Sequence, residues 1–374
     1  MIQNTSQSVA FIDTPEALAR FVDTLGQPPK LALDTEFARD RTYFPRLCLV
    51  QIATTEYIGL IDALAIDDLS QLTKLWANPA TTIVLHAAAQ DLEVLLHRTG
   101  VLPAQLFDTQ IAAALAGHDA QTGYATLVKA ELGLTLAKSH TRTDWQKRPL
   151  APGALDYAAD DVRYLLALYT HLSDAIRATG REQWLVEDCE RQNDAERYRP
   201  QPDQALRFVR GLDGLNPETV AVAARLAAWR ERTAMSSDRP RRWILADKTL
   251  VEIAERQPAD MAALEAVDSL SKRTRERHAK ALIHAIHGHD QPEAIHTPEP
   301  APRLTAAERQ RVKKGMRILR QMAETLELPS ATLGARADVE ALVRGRRDTK
   351  LENGWRADVV GRPIAEAIMP PQSN

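Results

Sequence analysis

Two carboxylates, Asp34 and Glu36, close a largely apolar run at residues 30–37. The run reads as a buried strand, and a strand's side chains alternate faces, so the two acids point the same way. Neighbouring buried anions repel and lose hydration, a cost that a divalent cation on hard oxygen ligands offsets. Taken alone, the pair suits a strand end facing water equally well. Two further motifs change the balance. Asp91 follows the short β-like run at 82–86 and opens a helix; by itself it reads as a helix-capping acid. Tyr157 and Asp161 stand four apart on a helix and share a face. By themselves they read as a surface tyrosine and a solvated acid, and Asp160 falls one position off that face.

Together, Asp34, Glu36, Asp91 and Asp161 can converge on two divalent cations, Mg²⁺ or Mn²⁺. Like charges about 4 Å apart repel by roughly 4 kcal/mol at an effective dielectric of about 20, so four such groups are hard to keep ionised without cations among them. A pair of ions about 3.5–4 Å apart can activate a water and stabilise the leaving oxygen of a phosphodiester. Tyr157 would orient that water by a hydrogen bond.

The elements that must position these residues follow from periodicity. Residues 47–53 and 57–62 read as strands joined by a polar turn, and residues 82–86 as another. A helix runs on from Asp91 and stops near Gly100. Residues 154–178 read as one long amphipathic helix, with Leu155, Ala158, Val162, Leu165, Leu166, Tyr169 and Leu172 in its apolar stripe. Strands followed by helices predict an α/β domain over residues 1–190. Residues 191–204, with Pro200 and Pro202, read as a linker, and a Pro-rich break at 297–302 separates two mostly helical segments, 205–289 and 303–374.

Composition narrows the function. A chain of 374 residues predicts two or three domains. No apolar run of about 18 residues and no basic-then-apolar N-terminus is present, so neither a membrane span nor a signal peptide is expected. Cys48 and Cys189, far apart, suit a reduced cytoplasm and exclude a thiolate zinc pair. Residues 1–190 carry 15 Lys and Arg against 24 Asp and Glu, whereas residues 191–374 carry 32 against 26. An acidic front half and a basic back half suggest divided labour, with the Arg-rich stretches at 239–243 and 272–277 as candidate nucleic-acid contacts. Five of the ten histidines fall between His278 and His296, a stretch better read as a helix end running into a polar linker than as a metal site.

At the acidic motifs the chain resembles the DEDD exonucleases, and within them the ribonuclease D family. The matching pattern is Asp34-x-Glu36, then Asp91 after a short strand, then Tyr157-x-x-x-Asp161. It extends to residues 47–53 and to 142–150 leading into the last helix, covering residues 25–175. The sister subtype has His five residues before the last acid, where this chain has Asp156, so the tyrosine subtype is indicated. The resemblance implies an RNase H-like fold with a mixed sheet and 3′→5′ hydrolysis releasing nucleoside 5′-monophosphates. It also implies metal roles for Asp34, Glu36, Asp91 and Asp161. By the same analogy Phe37 would wedge against a terminal base, and Gln51 and His86 would line the substrate groove. Phe37 equally suits a core position, and Gln51 a satisfied strand polar group.

Residues 205–289 resemble an HRDC domain at 226–230, 242–250 and 253–258, and residues 303–374 resemble a diverged second copy at 328–330 and 354–356. The expected fold is therefore an α/β exonuclease domain followed by two small all-α HRDC-type bundles. No GxxxxGK[ST] loop exists, so no nucleotide cofactor is expected. Arg241 and Arg242 are candidate phosphate contacts, with Lys272, Arg273, Arg275 and Arg277 beside them in sequence character. Trp243 suits either a stacking platform or a bundle core. The expected protein is a cytoplasmic monomer that trims RNA with a single-stranded 3′ end, precursor tRNA and small structured RNAs in particular. A DNA exonuclease and a non-catalytic RNA-binding protein are the rival readings.

Overall fold

The strand bearing Asp34 and Glu36 forms as β2 (Lys30–Ala38), in a six-stranded sheet ordered β1-β4-β3-β2-β5-β6. These are β1 (Ser8–Ile12), β3 (Arg46–Ala53), β4 (Tyr57–Asp62), β5 (Thr82–Leu85) and β6 (Gln105–Asp108). β4 runs antiparallel to β3 and parallel to β1, while β5 runs parallel to both β2 and β6, which makes the sheet mixed. The computed structural model describes residues 7–137, 143–288, 303–347 and 349–368. Arg142 of the 142–150 motif, His289, His296 and the Pro-rich break at 297–302 lie outside them.

Alternation along the strands decides which face becomes core. Leu31 and Leu33 of β2 join Val50 and Ile52 of β3, Ile61 of β4 and Ile83 and Leu85 of β5 in one apolar cluster. That cluster is closed by α1 (Pro15–Leu25), α2 (Ser70–Trp76) and α3 (Ala89–Thr99) through Leu18, Phe21, Leu72, Trp76, Leu92 and Leu95. Gly59 is required here, because a Cβ on it would lie 2.4 Å from the Phe21 ring. α4 (Thr109–Leu115), α5 (Tyr124–Leu132), α6 (Pro152–Arg163), α7 (Leu165–Ala178) and α8 (Glu182–Gln192) follow, with α6 against β4 and α7 against β5. By the period of two, Asp34 and Glu36 lie on the face opposite Leu31 and Leu33.

The long helix expected over 154–178 is corrected to two. α6 ends at Arg163, Tyr164 (φ −105°, ψ −2°) stands between the helices at the edge of the right-handed region, and α7 begins at Leu165. The apolar stripe runs through both helices, so periodicity alone cannot reveal the break. Its cause is a hydroxyl from elsewhere, described below.

The chain divides into two compact units. One holds Met1–Phe37, Leu47–Tyr198 and Arg303–Asn374, and the other Ala38–Arg46 and Arg199–Pro302. The last segment, with α14 (Ala306–Thr325), α15 (Ser330–Leu333), α16 (Arg336–Val343), α17 (Gly354–Arg356) and α18 (Arg362–Ile368), therefore groups with the sheet. Arg356 pairs with the buried Asp188 of α8 at 2.6 and 2.8 Å, and the Trp184 and Trp355 rings stack at 4.2 Å.

The second unit is helical: α9 (Pro217–Ser237), α10 (Arg241–Ile244), α11 (Asp247–Arg256), α12 (Met261–Glu265) and α13 (Lys272–His287). Its core joins Leu226, Leu250, Ile253, Leu264 and Leu282. Arg230 is buried among them, bonded to Asp247 at 2.7 Å and to the Leu245 carbonyl. Among the described residues no helix is long and apolar enough to cross a membrane.

Candidate active site

Asp34 and Glu36 of β2 and Asp161 of α6 bring one carboxylate oxygen each within 4.8 Å of one another. Asp91, near the start of α3, stands beside them. Its Oδ1 accepts from the Thr35 amide at 3.1 Å and from the Thr35 hydroxyl at 2.6 Å. Asp91 is thus tied to the residue between the two strand acids, and its buried charge acts on all three of the others.

Burial dominates the electrostatics. It pushes the Asp34 carboxyl well above its usual value, and the Asp91, Asp161 and Glu36 charges push it further. Burial, then Asp161 and Asp91, push Glu36 up to about 8. Asp91 is pushed up to about 7 by burial, with the Thr35 bonds opposing. Asp161 is likewise raised by burial to about 7, while a hydrogen bond from the Tyr157 hydroxyl opposes and the Asp160 and Asp91 charges add. Tyr157 itself is raised by burial and then by the Asp161, Glu36 and Asp34 charges, so its hydroxyl stays protonated and able to donate.

The remaining sequence candidates are placed as follows. Gln51 is fully buried, and neither its amide nitrogen nor its amide oxygen has a partner among the described residues. Alternation from Val50 and Ile52 puts it on the same face of the sheet as the acids. His86 bonds Thr109 Oγ1 through Nδ1 at 2.9 Å, while its buried Nε2 has no hydrogen-bond partner among the described residues. Thr109 donates its own hydroxyl to the Leu85 carbonyl at 3.0 Å, so the proton sits on His86 Nδ1. Phe37 packs on the apolar cluster, on the face opposite Glu36. In the second unit, Arg241 is not free for a phosphate. Its Nε and Nη2 hold the buried Glu231 at 2.5 and 2.6 Å, and Nη2 also reaches the Tyr43 hydroxyl at 3.2 Å. Arg242 is 65% exposed and only approaches Asp247, at 3.9 Å. It lines a pocket of about 400 Å³ with Trp243, Phe208 and Arg39.

Three supporting residues were missed by sequence reasoning. Thr35 holds Asp91. Asp108 accepts from the Ala87 and Ala88 amides at 3.1 and 2.9 Å, holding the turn that launches α3, and from Gln110 at 2.8 Å as the cap of α4. The strand-then-Asp-Thr pattern at 105–109 carried that capping signal. Tyr124, whose ring lies 5.7 Å from that of His86, had no signal at all.

The comparisons agree with this geometry. The 3′–5′ exonuclease family model matches residues 9–177, and the HRDC domain model matches residues 220–286. Ribonuclease D of Acidiphilium cryptum is 37% identical over 359 residues, 94% of this chain and 90% of the relative. Ribonuclease D of Xanthomonas oryzae pv. oryzae is 38% identical over 353 residues, 92% and 93% of the two chains. The crystal structure of Escherichia coli RNase D, described as an exoribonuclease involved in structured RNA processing, superposes with a TM-score of 0.85 at 30% identity, covering 96% of this chain and 98% of that one. A match this even, from the sheet through both helical segments, extends the likeness well beyond the acids, and the chain belongs to the ribonuclease D family of 3′–5′ exoribonucleases.

Proposed function

We propose that this protein removes nucleotides one at a time from single-stranded 3′ ends of structured RNAs, precursor tRNA among them, and releases nucleoside 5′-monophosphates. The observation that carries this reading is the trio Asp34, Glu36 and Asp161, whose carboxylate oxygens gather within 4.8 Å. The donor set fits divalent metal: all are hard oxygens, partly buried side by side, with pKa values raised by burial and then by one another's charge. Asp34, Glu36 and Asp161, with the second oxygen of Asp91, would hold Mg²⁺ or Mn²⁺. When bound, two such ions supply charge neutralisation at the scissile phosphate and lower the pKa of the attacking water.

The chain's own residues do the rest. Tyr157, whose hydroxyl donates a hydrogen bond to Asp161, orients the attacking water by accepting a hydrogen bond from it on the phenolic oxygen. Thr35 fixes Asp91, so the acids hold one geometry before RNA arrives. Gln51 and His86 Nε2, without partners among the described residues, suit contact with the terminal nucleotide. In the second unit, Arg242 and the 60% exposed Trp243 suit a phosphate and a base. We read the chain as a monomer of the cytoplasm, in keeping with two free, buried cysteines.

The test is to incubate the protein with a 3′-tailed RNA hairpin and its DNA counterpart, with Mg²⁺ or with chelator. A ladder of shortened RNA that needs metal, and a slower one on DNA, is expected. Equal rates on both strands would make it a general exonuclease, and product formation in chelator would overturn the metal scheme.

A further inference from the structure

In an unbroken helix the Tyr164 amide would donate to the Asp160 carbonyl, four residues back. Here the Tyr124 hydroxyl sits in that rung. It donates to the Asp160 carbonyl at 2.9 Å and accepts from the Tyr164 amide at 3.2 Å. Two legs of about 3 Å replace one, so the rung is spread and the helix ends there, as inserted side chains commonly cause. α7 restarts at once, with the Leu168 amide on the Tyr164 carbonyl at 3.0 Å. Asp161 is the residue immediately beyond the spread carbonyl. Tyr124 opens α5, and its ring is fixed against His86, so its hydroxyl comes from a separately anchored element.

We propose that Tyr124 is a positioning residue for the acidic site: by taking the place of the Asp160–Tyr164 main-chain bond, its hydroxyl ends α6 just past Asp161 and sets where that carboxylate points. The inference rests on the reading of Asp161 as a metal-holding acid. Tyr124 touches neither substrate nor metal in this scheme. It acts through the backbone of the turn that carries Asp161.

Tyr124→Phe tests it, because the ring and its packing stay while the bridge goes. The freed Asp160 carbonyl and Tyr164 amide then bond each other, and the last turn of α6 closes. Supporting partners of metal ligands typically matter 10–100-fold in metal affinity or activity. The expected result is Mn²⁺ binding, measured without RNA by calorimetry or paramagnetic resonance, weakened about tenfold or more. In turnover, kcat falls about 10–100-fold while KM for RNA stays within about twofold. A crystal structure of the variant should show the Asp160 carbonyl and Tyr164 amide in direct hydrogen-bond contact. Unchanged Mn²⁺ affinity and kcat would overturn the proposal. So would a variant in which metal binding is lost together with a melting temperature lowered by more than about 10 °C, since a merely structural role predicts that global damage. Because Mn²⁺ binding and the rung are read without substrate, a wild-type protein that leaves RNA uncut refutes the proposed activity and not this placement.

Discussion

Replacing Arg148 with methionine should destabilise the protein by about 3 kcal/mol at neutral pH. The guanidinium holds Asp62 through Nε at 2.5 Å and Nη2 at 2.7 Å, and donates to the carbonyls of Cys48, Trp145 and Lys147 at 2.9, 2.8 and 2.9 Å. It therefore ties the described part of the segment before α6 to β3 and β4. Asp62 is only 3% exposed, and without Arg148 it keeps just the Leu64 and Ala65 amides, at 2.9 and 3.3 Å. Removing one partner of a buried pair costs roughly 3–5 kcal/mol. The lower end applies, because the Arg148 side chain is 26% exposed and water can reach the gap. At about 2–4 °C per kcal/mol for a domain of this size, the melting temperature should fall by about 6–12 °C.

The pH dependence sharpens the test. Burial raises the Asp62 carboxyl, but the Arg148 bonds and the Leu64 and Ala65 amides outweigh it and hold the group below the usual carboxylate range. A depressed folded pKa gives stability that is full above the unfolded value, about 3.9, and lost as pH falls through the folded one. The gap between wild type and Arg148→Met should therefore be widest at pH 7 and close toward pH 3, followed by thermal melts across that range. Asp62→Asn in the same background should add little, since the two changes remove one interaction. A variant melting within about 2 °C of wild type at pH 7, or a gap that stays constant to pH 3, would refute the reasoning.

Two more outcomes follow from charge. Glu36, Asp91 and Asp161 are raised to about 8, 7 and 7, so the folded metal-free protein keeps protons that the unfolded chain releases above about pH 4. Its stability should fall as pH rises from about 4 and level off above 7–8, where these groups ionise in the folded state too; Mn²⁺ should flatten that fall, and Asp161→Asn should raise the metal-free melting temperature at pH 8 while abolishing hydrolysis; a metal-free melting temperature that climbs from pH 5 to 8 counts against the cluster. In the second unit, Arg225, Trp229 and Arg232 of α9 and Lys280 and His284 of α13 line a groove of about 400 Å³, with no acid in its lining among the described residues. Arg232→Ala with Lys280→Ala should lower the slope of log affinity against log salt for single-stranded RNA by about 1.4, at roughly 0.7 per phosphate contact, and an unchanged slope in fluorescence anisotropy removes the groove from the RNA path.

The parts of this fold that were legible in sequence are those governed by local pattern. β2, β3 and β4 alternate or run apolar as half-buried and buried strands must, and α3 stops at Gly100, whose φ of +72° suits glycine. The acids were legible because they interrupt those patterns. What stayed hidden depends on partners distant in the chain. Arg241 looks like one member of a basic run, yet Glu231, a turn and a half back from the end of α9, neutralises it. Residues 303–374 read as a second HRDC-like bundle, and their grouping with the sheet comes from pairs such as Arg356 with Asp188, 168 positions apart. The histidine-rich stretch gathers no metal-binding group among the described residues.

The same division runs through the site itself. Each acid is named by its own strand or helix, but its aim is set by an irregularity that another segment imposes. Asp91 opens α3 after Ala87 takes a left-handed turn (φ +56°), which Asp108 stabilises from β6. Asp161 precedes a break that Tyr124 creates from α5. Regular secondary structure alone would leave the carboxylates wherever the next rung put them, and four like charges have no attraction of their own to bring them together. The convergence must therefore be enforced by neutral donors, Thr35 holding the Asp91 carboxylate and Tyr124 holding backbone, and by a capping acid that holds a turn. Asp108 has a capping pattern, but the two hydroxyl donors have none to betray them, because a hydroxyl needs only to be in the right place once.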